Sequence, residues 1–147
     1  ESEWAAESIN RVLRSASCET AVHVCFGNYG GQTVQKGTWD ALVPFLSSLE
    51  ADHLVLEFKR WGIAKAECLT DLPASLRIGV GVIDIKDNHI ETPEEVAADL
   101  EEASRVLGAD RLAYAHPDCG FWMLQRSVAD AKIEALVKGR DLFEGRR

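Results

Sequence analysis

The residue types that could do chemistry in this chain sit at the ends of apolar runs. His23-Val24-Cys25 closes the first run, Glu57 closes the second, and Cys119 lies in His116-Pro117-Asp118-Cys119-Gly120 after the last. One imidazole, two thiols and one carboxylate form a donor set that suits a tetrahedral zinc ion. A zinc ion held there would activate a substrate thiol, since zinc keeps a bound sulfur in its ionised form. His23 and Cys25 are two residues apart, so on a strand they share a face. Glu57 is a carboxylate ending an otherwise apolar segment, which demands a neutralising cation; a metal would serve, and so would Lys59 or Arg60 next door. Cys18 and Cys68 have no neighbouring ligand types and read as packing residues, while His53 opens a strand and reads as a surface or supporting group.

These residues need elements to position them. Trp4, Ala5, Ser8, Ile9, Val12, Leu13 and Ala16 recur at three- and four-residue steps, with Glu7, Asn10, Arg11 and Arg14 between them, the pattern of an amphipathic helix. Residues 20–26 form a β-branched run that passes into a flexible loop at Gly30-Gly31. A second helix is expected over about 39–48 from a Thr38 cap, with Pro44 inside it. Strands follow at 52–58 and 77–85, separated by a weakly helical stretch at 64–69. Gly79 and Gly81 in the third strand permit a close backbone approach. Thr92-Pro93-Glu94-Glu95 is a capping box with proline at the first helical position, and Gly108 ends that helix. A strand at 111–115 and a helix capped by Ser127 complete the series. Strict alternation of helix and strand means parallel strands, in an open doubly wound sheet or in part of a (β/α)8 barrel. Chemistry in such barrels gathers at the C-terminal ends of the strands, where His23, Cys25, Glu57 and Cys119 all fall. Four strands account for half of the eight. The expected fold is therefore α/β, half of a (β/α)8 TIM barrel, with residues 1–147 as a single incomplete domain. The start at Glu1, with no Met, is that of a fragment or processed piece.

Composition fits this frame. The chain has 147 residues, 46% hydrophobic and 27% charged, enough for one modest core, and a formal net charge of −8 that opposes a nucleic-acid partner. No stretch approaches the roughly 20 apolar residues of a membrane helix, and the N-terminus is acidic where a signal peptide is basic. Four cysteines used in this way suit a reducing, cytoplasmic location better than a disulfide framework.

The segments His-Val-Cys-Phe-Gly-Asn-Tyr (23–29), Leu-Val-Leu-Glu-Phe (54–58), Gly-Val-Gly-Val-Ile-Asp-Ile-Lys (79–86), Glu-Thr-Pro-Glu-Glu-Val (91–96) and His-Pro-Asp-Cys-Gly-Phe (116–121) together resemble the cobalamin-independent methionine synthases, particularly their shorter, single-barrel relatives. The resemblance implies that the chain is the C-terminal half of a (β/α)8 TIM barrel, four parallel strands alternating with helices, with a catalytic zinc on His23, Cys25, Glu57 and Cys119. It also implies methyl transfer from 5-methyltetrahydrofolate, or a related folate-type donor, to homocysteine. The larger enzymes have Asp-Ile-His here, whose histidine is assigned as proton donor. This chain has Asp84-Ile85-Lys86 with His89 following, so Asp84, Lys86 and His89 share that candidacy with the plainer reading of a solvated loop. His116 and Asp118, flanking Cys119, are expected to orient the ligands. The family's contacts to the amino acid and the folate come largely from the other half of the barrel, which a partner chain or a missing N-terminal half would supply. Three other readings stand beside this one: a zinc-dependent thiol alkyltransferase of the coenzyme M type, a zinc-binding fragment inactive without the missing half-barrel, and a small-molecule-binding α/β module.

Overall fold

A computed structural model describes residues 2–146; Glu1, read above as the start of a fragment or processed piece, lies outside the described residues. The elements run α1 (Ser2–Leu13), β1 (Ala21–Val24), α2 (Trp39–Ser47), β2 (His53–Leu56), a 3₁₀ segment (Ile63–Asp71), β3 (Arg77–Ile83), α3 (Pro93–Leu107), a 3₁₀ turn (Ala109–Arg111), β4 (Leu112–Pro117) and α4 (Arg126–Phe143). The four strands are parallel and lie in the order β1-β2-β3-β4. That order decides between the two architectures left open by the sequence. A doubly wound sheet reverses its strand order at a switch point, whereas a barrel winds in one direction throughout. With right-handed crossovers, uniform winding places every helix on one face of the sheet. Leu54, Leu56, Ile78, Val80 and Val82 point to that face and are fully buried, packed with Leu46, Leu69, Val96 and Leu100. The opposite, concave face carries His23, His53, Glu57 and the two strand glycines. No helix among the described residues is long and apolar enough to cross a membrane.

Local chemistry explains most boundaries. Thr92 and Glu95 form the full capping box at the start of α3, with Pro93 at its first position and Gly108 closing it at φ 91°. Gly30 and Gly31 adopt φ of 62° and 75° between the bridged residues Tyr29 and Gln32, so the expected flexible loop is a tight turn.

The weakly helical stretch expected after β2 is the 3₁₀ segment Ile63–Asp71. Three expectations need correction. Ser127 lies inside α4, whose cap position is Gln125 without a side-chain cap bond. Asn10, placed on the polar side of α1, is buried, because its amide donates to Ser48 O at 2.7 Å and accepts from Glu50 N–H at 2.8 Å. Trp4 and Val12, placed on the apolar stripe, face solvent.

Candidate metal centre

β1 ends at Val24, β2 at Leu56 and β4 at Pro117, so Cys25, Glu57 and Cys119 all sit within two residues of a strand's C-terminal end. Ligand atoms of His23, Cys25 and Cys119 lie within 4.8 Å of one another. This closeness is informative because His23 and Cys25 belong to one edge of the sheet and Cys119 to the other. Three strand spacings in a flat sheet would separate the edges by about 14 Å. The sheet must curl and its loops must fold inward.

Specific bonds draw those loops together. Asn28 donates its amide N–H to Gly120 O at 3.1 Å, linking the β1 loop directly to the β4 loop. Asp118 Oδ1 accepts from the backbone N–H groups of Phe58 at 2.9 Å and Lys59 at 3.0 Å, while its own N–H donates to Ile83 O at 2.9 Å. The end of β4 is thereby fixed across β3 to β2. The strand glycines make this possible. A Cβ on Gly79 would stand 3.1 Å from the His116 ring, and one on Gly81 only 2.1 Å from Asp118 Oδ1.

Glu57 is fully buried, yet it is not part of the three-residue group. Its Oε1 accepts from Phe26 N–H at 2.7 Å and from the Trp61 indole N–H at 3.2 Å. Its Oε2 pairs with Lys86 Nζ at 3.1 Å, both side chains being 2% exposed or less. The cation that a buried carboxylate requires is therefore Lys86. Neither sequence neighbour supplies it, since Lys59 pairs with Asp99 at 2.6 Å and Arg60 faces Asp84 at 3.7 Å.

The remaining candidates separate by position. Asp84 is half-buried, accepting from Lys86 N–H at 2.8 Å, and Lys86 also donates to Thr33 Oγ1 at 3.0 Å. His89 is exposed and bonded to Glu95 at 3.3 Å. His116 shares its Nδ1 with Pro117 O at 2.7 Å, leaving its Nε2 buried without a partner, as is Asp118 Oδ2. Burial pushes the Asp118 carboxyl up to about 7 against the pull of the Lys59 and Phe58 N–H groups, with Glu57 and Asp84 adding to the rise. Burial also lowers His116. Cys18 is exposed, so it fills no core position, whereas Cys68 is half-buried and bonds Lys65 O. His53 is buried at the start of β2, 3.4 Å from Glu19. Sequence reasoning missed Asn28, and it missed Lys132, which is fully buried and pairs with Glu91 at 2.8 Å. The available signal was its place on the same face of α4 as Ala135 and Gly139, the small residues of the buried side.

The donor set fits zinc on its own chemistry. Burial raises the Cys25 thiol, the Gly27 N–H opposes that rise, and Cys119 and Glu57 reinforce it. The Cys25 thiol therefore stays protonated unless a cation compensates its charge. Cys25 and Cys119 are both free thiols beside an imidazole, the combination a borderline-soft ion prefers.

Residues 2–140 match the family described as the cobalamin-independent synthase catalytic domain. The chain is 33% identical over 139 residues to the methionine synthase of Sulfurisphaera tokodaii, covering 95% of this chain and 37% of that protein. It is 29% identical over 136 residues to that of Saccharolobus islandicus, covering 92% and 38%. The solved structure of a B12-independent methionine synthase from Shewanella sp. W3-18-1, in complex with selenomethionine, superposes with a TM-score of 0.78 at 28% identity over 97% of this chain and 43% of that one. The chain thus spans less than half the length of these relatives. Motif, strand order and family match coincide, and the chain belongs to the cobalamin-independent methionine synthase family, within its catalytic domain.

Proposed function

We propose that this chain carries the zinc-binding, thiol-activating part of a methionine-synthase-type enzyme. The observation that carries the reading is the convergence of the His23 imidazole with the Cys25 and Cys119 thiols at the C-terminal ends of parallel strands. Bound there, zinc would supply Lewis acidity that holds a substrate thiol as thiolate at neutral pH. Homocysteine is the proposed thiol, and a 5-methyltetrahydrofolate-type molecule the methyl donor. The methyl group would pass from donor nitrogen to sulfur, giving methionine, and the thiol proton would end on the donor amine. A proton carrier is required for that exchange. Lys86, paired with Glu57, and Asp84, which accepts the Lys86 N–H just after β3, are the groups we assign to it, ahead of the exposed His89. Asp118 and Asn28 hold Cys119 and its loop in reach of Cys25.

The rest of the barrel belongs to the proposal. β1 and β4 each have a free edge among the described residues. An apolar groove of about 380 Å³ runs beside β4, lined by Leu112, Tyr114, Leu136, Val137 and Phe143 among others. A complementary half-barrel would pair the edges and cover that groove. The four free cysteines suit a reducing cytoplasm.

The test is proton release on mixing the zinc-loaded chain with homocysteine, followed by methionine formation when the complementary half-barrel and 5-methyltetrahydrofolate are added. Proton release by the native chain and none by Cys25→Ser is expected. Absence of thiol ionisation in the zinc-loaded chain overturns the proposal.

A further inference from the structure

Lys132 is fully buried in α4, the helix that follows the Cys119 loop. A buried ammonium persists only with partners, and both of its partners lie outside that helix. Nζ pairs with Glu91 Oε2 at 2.8 Å and donates to the His89 carbonyl, so it grips the segment that joins β3 to α3. Packing aims it there. Lys132, Ala135 and Gly139 share the buried side of α4, and a Cβ on Gly139 would stand 2.4 Å from Val96 and 2.8 Å from Pro93 O. That side of α4 is therefore pressed against the start of α3, directly after the gripped residues.

From Glu91 the hold runs inward. Its Oε1 accepts the Asp84 N–H at 2.8 Å, and Asp84 Oδ1 accepts the Lys86 N–H at 2.8 Å. The Lys86 ammonium then reaches Glu57 Oε2 at 3.1 Å and Thr33 Oγ1 at 3.0 Å. Residues 87–90 are exposed, so the grip on His89 O and Glu91 is what ties the far end of the segment to the protein. We propose that Lys132 is a positioning residue: from α4 it sets the backbone of residues 84–86 and thereby holds the Lys86 ammonium against Glu57. The inference rests on the assignment of Lys86 to proton transfer above, and Lys132 acts only through Lys86.

The experiment labels the metal-free full chain with the N-hydroxysuccinimide ester of acetic acid and follows each lysine by peptide mass. In the native chain Lys86 is protected, since 2% of its side chain is exposed. In Lys132→Met, Lys86 is acetylated about tenfold faster or more, as expected of a locally opened segment. Lys59, paired with Asp99 at 2.6 Å, keeps its native rate. Combining Lys132→Met with Glu91→Gln separates position from stability. The buried unpaired charge is gone, so stability recovers, yet the grip from α4 is still absent and Lys86 stays reactive. This double variant also carries the test if Lys132→Met alone does not fold. Lys86 still protected in Lys132→Met overturns the proposal. So does release of Lys86 and Lys59 together, or protection that returns with stability in the double variant. No metal enters the labelling, so the zinc reading fails separately, by undiminished zinc content in Cys25→Ser.

Discussion

Replacing Lys132 by Met tests how the loop carrying Lys86 is held. Lys132 lies in α4, pairs with Glu91 at 2.8 Å and donates to the His89 carbonyl, with both charged side chains 1% exposed or less. Glu91 in turn accepts the Asp84 N–H at 2.8 Å. The pair thus fixes residues 84–91 from both ends. Methionine fills a similar volume, so the main loss is charge: Glu91 is left buried without a counter-ion, and the His89 carbonyl loses its donor. Breaking a buried pair on one side costs about 3–5 kcal/mol. That is a large part of the 5–15 kcal/mol typical of a whole domain. At about 2–4 °C per kcal/mol for a chain of this size, Tm should fall by roughly 6–20 °C. Adding Glu91→Gln removes the stranded charge while keeping an acceptor for Asp84 N–H, and should recover about 1–3 kcal/mol. Urea unfolding followed by circular dichroism measures both. A cost below about 1 kcal/mol for Lys132→Met, or a double variant no more stable than the single, would refute the reasoning.

Four further outcomes follow from other contacts in the structure. Gly81→Ala puts a Cβ 2.1 Å from Asp118 Oδ1 and 3.0 Å from Leu56 O, so it should displace Asp118, cost about 1–3 kcal/mol and weaken zinc binding, read by unfolding and chelator competition. Asn28→Ala removes the link to Gly120 and should weaken zinc about 10- to 100-fold while changing stability by about 1 kcal/mol, by the same two assays. Thr92→Ala should cost about 1 kcal/mol through loss of the α3 cap. The Glu95 half of that box is pH-dependent: the Thr92 N–H first, then His89, hold its carboxyl below the ordinary 4.5. Because the folded value is depressed, its contribution is present above 4.5 and fades as pH falls through the folded value. The stability gap between the native chain and Glu95→Gln should therefore shrink on acidification below 4.5, and a gap that widens there would contradict the assignment.

Much of the fold could be read from local pattern. Apolar periodicity and the capping box marked the helices, and the position of chemistry-bearing residues after apolar runs marked the rim of a parallel sheet. His23 and Cys25 were legible as a pair because period two is a local rule. Cys119 joined them only through long-range bonds, Asn28 to Gly120 and Asp118 to Phe58, which no spacing reveals. Glu57 illustrates the limit best. Its need for a cation was plain from its place in an apolar run, but its partner is 29 residues away, brought there by the parallel pairing of β2 with β3. Asn10 was misplaced for a similar reason. Its polarity suggested solvent, whereas it satisfies the carbonyl of Ser48 and the N–H of Glu50, partners that exist only once α1 packs against α2.

The central claim is that His23, Cys25 and Cys119 hold one zinc ion. X-ray absorption at the zinc edge of the purified full chain tests it most directly. The account predicts a first shell of two sulfur donors at about 2.3 Å with nitrogen and oxygen completing four, falling to one sulfur in Cys119→Ser. A shell of light atoms only, or one unchanged by Cys119→Ser, would contradict it.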